Sequence, residues 1–323
     1  MSDAAAQAAA AVAPAVRRKT AGELIDAWIA LGSRAGKLLR DTESPDIAQR
    51  VQLIDDDLLA LVDGDTDGSL LLLIQTVSSD LSKYSATHAL LVAAVCELAA
   101  RRLSDWPSEW RTPLRQAALT MNISITELQD QLALQDHPIN AVQRDALRGH
   151  GSRSADRLHE LGIRDDLWLN AVRQHHDAPA GPLSDLHPEL QIARLIQRAD
   201  IFAARLSPRK LRLPLSATSA AKSAYFDERQ QPDEAGAAII KAVGIYPPGS
   251  FVRLVSAETG VVLCRGKQAN QPTVAGIIDA QGMPFTAPKL RHTDIAADAI
   301  VTGVPPHDVK VRTPLDRLLR LLK

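Results

Sequence analysis

The sequence predicts a mainly α-helical protein with a small β-rich appendage near its C-terminal end. Apolar residues recur at helical spacing over most of the chain up to residue 205. After Gly244, short runs rich in β-branched residues alternate with Gly, Pro and Ser turns. A chain of 323 residues, 46% of them hydrophobic, is long enough for a buried core and for two or three units.

The N-terminal part of the chain predicts a disordered tail followed by a helical module. Residues 1–20 contain an alanine-rich run that precedes the positive charges, which is the wrong polarity for a secretory signal. From residue 21 to residue 80, apolar positions such as Trp28 and Leu58 follow helical spacing, with a break predicted at residues 64–69. We therefore expect residues 21–80 to form a helical N-terminal module.

The middle of the chain predicts a helical domain over residues 81–243. Residues 89–103 are apolar on nearly every face, as in a helix buried among other helices. Further helices are expected at about 112–121, 140–161, 165–176 and 188–205. Gly162 stands where a C-terminal cap belongs after the second of these.

The last 80 residues predict a β-rich extension, 244–323, that ends in a helix. Strands are expected at 251–255, 261–264 and 273–278. The final segment, TPLDRLLRLLK, carries leucines at the spacing of a short amphipathic helix.

Charge and cysteine content exclude several classes of protein. The formal net charge of -1 provides no global field that would attract nucleic acid or an anionic membrane. No apolar run approaches the roughly 20 residues that span a bilayer. Cys96 and Cys264 fit neither a disulfide framework nor a thiolate zinc site, which favours a reducing cytoplasm.

Four histidines and one aspartate form the candidate site. They are His88, His150, the doublet His175 and His176, and Asp200. A doublet at a helix end, followed by a helix that carries Ala-Asp-Ile-Phe, indicates ligands from separate helices that converge inside a bundle. The remaining histidines lie outside this series and are expected in surface or capping roles: His137, His159, His187, His292 and His307.

This ordered series resembles the HD-GYP family, a branch of the HD superfamily of metal-dependent phosphohydrolases that cleaves cyclic di-GMP in bacteria. The family carries Tyr-x-x-x-His-Ser, HDIGK, a lone His, His-His with a following GYP, and AD-x-F in that order. Residues 84–88, His150, His175, His176 and 199–202 match in order and rough spacing. Residues 244–263 are similar to the segment that closes such domains. The resemblance covers about residues 80–285 and implies an HD-domain-like helical bundle.

The family's HDIGK motif is lost in this chain. Met121 stands at its metal-binding His, Asn122 at its metal-bridging Asp and Ile125 at its phosphate-binding Lys. An uncharged Asn122 cannot bridge two ions, and a methionine thioether suits copper rather than iron, manganese or magnesium. No GYP follows the histidine doublet either.

The resemblance implies that one of the family's two ions is lost and the ligands of the other remain. The lost ion is the one that the His-Asp pair would hold together with Asp200, whereas His150, His175 and His176 are retained. These residues either hold one divalent metal ion (zinc, iron or manganese) or form a relic that hydrogen-bonds in the core. In a relic, His88 would be the natural partner of a buried Asp200.

Arg209 and Arg212 form a candidate phosphate-binding or nucleotide-binding pair. They match the family's Arg-x-Tyr-Arg, whose guanidinium groups bind phosphate oxygens at two points. The alternative is a solvated basic loop.

Two functions of different class remain open. The first is a catalytically inactive signalling module that binds a partner signalling protein or a cyclic dinucleotide. The second is a phosphodiesterase that works with one ion on three histidines, similar to an open zinc site with water in the fourth position. The combined loss of the His-Asp pair, the lysine and the GYP favours the first. We expect no nucleic-acid or membrane partner, and a homodimer is allowed.

Overall fold

A computed structural model describes residues 18–41, 43–44, 46–312 and 314–322. It confirms the predicted fold class: helices fill the chain up to Val243, and one antiparallel sheet follows. Most of the predicted tail, residues 1–17, lies outside the described residues. No described helix is both long enough and apolar enough to cross a lipid bilayer.

The helices come first in the chain, except for a short one near the C-terminal end. They are α1 (Ala21–Arg40), α2 (Ile47–Gly64), α3 (Thr66–Val77), α4 (Tyr84–Ala100), α5 (Arg111–Thr120), α6 (Thr126–Leu134), α7 (Ala141–Leu147), α8 (His150–Glu160), α9 (Asp166–Gln174), α10 (Pro188–Leu206), α11 (Ala217–Tyr225), α12 (Glu234–Val243) and α13 (Leu315–Arg320).

The sheet has five strands in the order β4-β3-β2-β1-β5. They are β1 (Phe251–Leu254), β2 (Thr259–Cys264), β3 (Thr273–Ile278), β4 (Pro284–His292) and β5 (Ile300–Val304), and each neighbouring pair is antiparallel. The three predicted strands correspond to β1, β2 and β3, whereas β4 and β5 were not predicted.

The end of α8 confirms the predicted glycine cap. Gly162 has a φ of +94°, which L-residues with side chains rarely adopt. Its N–H donates to the carbonyl of His159, and the N–H of Ile163 donates to the carbonyl of Leu158, both at 3.0 Å. These two bonds form a Schellman motif that satisfies the last carbonyls of the helix.

Two predicted boundaries were wrong. The break at residues 64–69 is confined to Asp65, whose carboxylate accepts from the N–H of Gly68 and thereby caps α3. The helix predicted at 140–161 is interrupted between α7 and α8, where Gly149 adopts a φ of +68°.

Helix α4 is the centre of the molecule. Every residue from Tyr84 to Ala100 is buried, and α1, α3, α5, α10 and α12 pack around the helix. The same apolar core includes residues of β2 and β3 and the leucines of α13. One apolar core therefore continues across both predicted domain boundaries, at positions 80 and 243. The division into domains at these boundaries stays a prediction.

A buried ionic network ties α2, α4 and α5 together. Arg115 donates to Asp55 at 2.6 and 2.8 Å and to Glu97 at 2.7 Å, and both carboxylates are fully buried. Burial alone would raise the pKa of Glu97, but hydrogen bonds from Arg111, Arg115 and Arg101 outweigh it and lower that pKa to about 2.

Candidate metal centre

Four different parts of the bundle supply the candidate site. His88 lies in the first turns of α4, and His150 is the first residue of α8. His175 and His176 directly follow the end of α9, and Asp200 lies in the second half of α10. The remaining histidines lie at the surface, with His307 half-buried.

Three of the candidate histidines form one cluster, which we call the three-His cluster: His150, His175 and His176. Their ring centroids are 5.0, 4.8 and 4.1 Å apart, and one nitrogen from each ring lies within 4.8 Å of the others. His150 and His175 are buried, whereas His176 is exposed. Residues far apart in sequence thus present imidazole nitrogens to one small volume.

Backbone carbonyls fix the tautomers of two of these rings. Nδ1 of His150 lies 2.7 Å from the carbonyl oxygen of Leu147, and Nδ1 of His175 lies 2.7 Å from that of Val172. A carbonyl oxygen can only accept, so each Nδ1 carries the proton and each Nε2 keeps its lone pair. This is the second-shell arrangement that usually orients histidine ligands of metals.

His175 is the member of the cluster whose environment most favours a metal ligand. It is fully buried, and its Nε2 has no hydrogen-bond partner among the described residues. Burial, together with the neighbouring His176, lowers its pKa to about 3, so the ring is neutral. A neutral imidazole with an unpaired lone pair is the form that binds a divalent ion.

The spacing between His150 and His176 also fits an ion. Their Nε2 atoms are 3.2 Å apart. Two nitrogens bound to one tetrahedral zinc ion at about 2.0–2.1 Å lie roughly 3.3 Å from each other. Since Nε2 of His150 carries no proton, Nε2 of His176 donates the hydrogen bond between them. That proton would have to move to Nδ1 or leave when a metal binds.

His88 and Asp200 form a separate pair next to the cluster. Nε2 of His88 lies 2.8 Å from Oδ1 of Asp200, and His88 is almost completely buried. Burial alone would raise the pKa of Asp200, but the hydrogen bond and the charge of His88 outweigh it and hold that pKa below its usual range. The aspartate is thus partnered by a histidine within the protein, and a role as metal ligand stays a prediction for both residues.

The segment at residues 121–125, where the resemblance would place the HDIGK motif, lies against the cluster. Met121 is buried at the end of α5, Asn122 is half-buried, and Ile125 is buried in a short 3₁₀ turn. In that turn, the hydroxyl of Ser124 donates to the carbonyl of His150 at 3.1 Å. The segment therefore occupies the neighbourhood of the site without offering it a carboxylate or an imidazole.

Arg209 and Arg212 stand opposite each other in a tight turn closed by two backbone hydrogen bonds of 2.8 Å. The guanidinium of Arg209 lies 5.5 Å over the ring of Tyr84, whose other stacking partner is His88 at 5.6 Å. Both arginines are half-buried, and within the described part of the chain neither forms an ion pair. Burial and the charges of Arg209 and Arg205 lower the pKa of Arg212.

The chain is similar to one curated protein, cyclic di-GMP phosphodiesterase PA4108 from Pseudomonas aeruginosa. The two are 26% identical over 204 residues, which cover 60% of this chain and 47% of the relative. The chain thus spans about half the length of the curated relative that it matches. No family model matches the chain, and no solved structure matches it. The similarity supports a distant relationship to the HD phosphohydrolases that the ordered histidines resemble.

Two polar residues of α10 that the sequence pattern did not single out support the site. Gln197 donates to the backbone carbonyl of His176 at 2.8 Å, and Arg194 donates to the side-chain oxygen of Gln197 at 2.6 Å. The available signal was their spacing, since both lie on the helix of Asp200 at distances of three and six residues. Only the structure shows that Gln197 binds the backbone of the histidine doublet itself, and that Arg194 binds Gln197 and the carbonyl of Ala178.

Proposed function

We propose that this chain is a degenerate HD-GYP protein, which binds a cyclic dinucleotide or a signalling partner without cleaving it. The observation that carries the proposal is the hydrogen bond between His88 and Asp200. By the family pattern, Asp200 would share an ion with the His-Asp pair. In this chain, His88 hydrogen-bonds to the carboxylate of Asp200. Met121 and Asn122 stand at the positions of the family's His-Asp pair.

The three-His cluster is the proposed site of a single divalent ion. Three imidazole ligands suit zinc or iron, whereas manganese, the third candidate ion, prefers carboxylate and water oxygens. When bound, the ion would supply a fixed positive charge near which a phosphate oxygen could rest. His150 and His175 would hold it from inside the bundle, and His176 from the solvent side.

Arg209 and Arg212 are the proposed phosphate-binding residues. Within the described residues, neither of these half-buried guanidinium groups has a carboxylate partner, and a phosphate would supply the missing negative charge. The relative acts on cyclic di-GMP, a ligand with two phosphates. The proposed ligand is therefore a cyclic dinucleotide.

The second candidate function is a phosphodiesterase that works with this reduced metal site. The unpartnered Nε2 of His175 and the exposure of His176 favour it, because an ion on three protein ligands keeps a position open to substrate. Against it stands the absence of a bridging carboxylate, which two-ion hydrolysis needs to hold its ions about 3.5–4 Å apart.

Metal analysis combined with titration of cyclic di-GMP tests the proposal. Arg209→Lys keeps the charge but removes the two-point contact, and we expect it to weaken cyclic di-GMP binding about 10-fold or more. Lys210→Ala is the matched control, since this exposed lysine lies in the same turn and pairs with Asp136. Equal losses in both variants, or no binding by the wild type, would count against a nucleotide site at the arginine pair.

A further inference from the structure

The three rings of the three-His cluster are not held in the same way. His150 and His175 are each oriented by a hydrogen bond from Nδ1 to a carbonyl three residues earlier. His176 has no such bond among the described residues: its ring nitrogens contact only Nε2 of His150. It is also the exposed member, so packing constrains its ring least. Its position must therefore be set through its backbone.

Gln197 provides that backbone contact. Its Nε2 donates to the carbonyl oxygen of His176 at 2.8 Å, and its Oε1 accepts from Nη1 of Arg194 at 2.6 Å. A guanidinium only donates and a carbonyl only accepts, so the amide of Gln197 can take only one orientation. The side chain is buried, which keeps water from competing for either bond.

Arg194 anchors the arrangement to a distant helix. This arginine is almost completely buried, and it also donates to the carbonyl of Ala178 at 3.0 Å. Nε and Nη2 bind one oxygen of Asp233 at 2.8 and 2.5 Å, and the other oxygen of Asp233 caps α12 through the N–H of Gly236. A continuous chain of hydrogen bonds thus runs from α12 through α10 to the His176 peptide group.

We propose that Gln197, fixed by Arg194, is the positioning residue that holds His176 in the geometry needed for metal binding. This inference rests on the proposed single-ion site and adds the second-shell support for its most exposed ligand. Loss of such a support typically reduces metal affinity 10-fold to 100-fold. Gln197 acts through His176 and has no direct contact with the ion site.

The variant Gln197→Glu keeps the hydrogen bond with Arg194 and removes the one with His176. A glutamate still accepts from Arg194, but its ionised carboxylate cannot donate to the His176 carbonyl and repels it. We expect zinc affinity, measured by competition with a chelating dye, to fall about 10-fold to 100-fold. Gln116→Glu is the matched control, since this equally buried glutamine donates to Gln52 of α2, a helix that supplies no residue to the three-His cluster. We expect it to leave zinc affinity unchanged even if it lowers the melting temperature.

Hydrogen exchange in metal-free protein tests the same contact without an ion. We expect the backbone amides of residues 176–178 to exchange faster in Gln197→Glu than in the wild type or in Gln116→Glu. If the wild type binds no zinc but these amides still exchange faster in Gln197→Glu, the single-ion site is rejected while the hold of Gln197 on the His176 backbone is supported. If the wild type binds zinc, but Gln197→Glu and Gln116→Glu have the same zinc affinity and the same exchange rates, the positioning role of Gln197 is overturned and the single-ion site stands.

Discussion

His175 is the residue on which the proposed metal site depends most. A buried nitrogen that lacks a hydrogen-bond partner costs about 1–3 kcal/mol, and proteins rarely leave that cost uncompensated. Within the described residues, Nε2 of His175 has no such partner, and it points into a cluster with two other imidazoles. A bound ion would remove this cost, since coordination uses the lone pair of the nitrogen.

Zinc should therefore stabilise the folded protein, because the unfolded chain lacks the preformed site. At a zinc concentration 100 times the dissociation constant, the gain is about 2.7 kcal/mol and appears as a higher melting temperature. His175→Ala should abolish the rise. His159→Ala, an exposed histidine of α8, is the control and should retain it. Melting curves of the wild type that are identical with zinc and with chelator would indicate a relic held by hydrogen bonds.

Introducing the His-Asp pair of the HD-GYP pattern should raise the metal content but give little activity. Met121→His combined with Asn122→Asp supplies an imidazole and a carboxylate beside His150, so elemental analysis should find bound metal rising toward about two ions per chain. Hydrolysis of cyclic di-GMP should stay weak, because Ile125 still stands where the HD-GYP pattern has a lysine and no GYP follows the doublet. Rapid turnover by this double variant would show that those two losses do not matter.

At the scale of elements, Arg115 of α5 joins α2 and α4 through buried ion pairs with Asp55 and Glu97. It is the only hydrogen-bond donor from a side chain to Asp55 in the described structure, whereas Glu97 has two further arginine partners. Arg115→Met would leave the carboxylate of Asp55 buried and unpaired, and we expect a loss of about 3–5 kcal/mol in the free energy of unfolding. Arg101→Met is the control. Its side chain is partly exposed, so denaturant titration should show a loss of about 1 kcal/mol or less.

The same network gives stability a pH dependence. Glu97 has an ordinary pKa of 4.5 and a folded-state pKa of about 2, so the folded protein holds this proton less tightly than the unfolded chain. Its contribution is fully present above pH 4.5 and is lost as the pH falls toward 2. The stability difference between the wild type and Glu97→Gln should therefore shrink over that interval in urea titrations. A difference that stays constant from pH 5 to pH 3 would contradict this interpretation.

Elements with a distinctive apolar pattern could be predicted from the sequence, and elements without one could not. Strand β3 and helix α10 were predicted almost to their ends, because β-branched residues mark the first and regular apolar spacing marks the second. Helix α11 was missed because its buried face consists of alanines, which give a weak signal. The order of the site histidines was readable, whereas the contact of Gln197 with His176 depends on folding and was not.

At the scale of the whole molecule, one core supports the site from several directions. Helix α4 brings His88 into the same core that the N-terminal helices and the sheet complete, and α13 returns to pack against α1. A site placed on rigid, buried elements can keep its geometry after catalysis is lost, which suits a binding protein as well as an enzyme. The fold alone therefore does not decide between the two candidate functions.

The most direct measurement is to incubate zinc-loaded protein with cyclic di-GMP, quantify the bound nucleotide at equilibrium, and analyse the recovered nucleotide by chromatography. We expect bound nucleotide that is recovered intact, with no linear dinucleotide above a metal-only blank, because Asn122 cannot bridge two ions. Linear dinucleotide that forms in the wild type but not in His176→Ala would contradict the account and establish a single-ion phosphodiesterase.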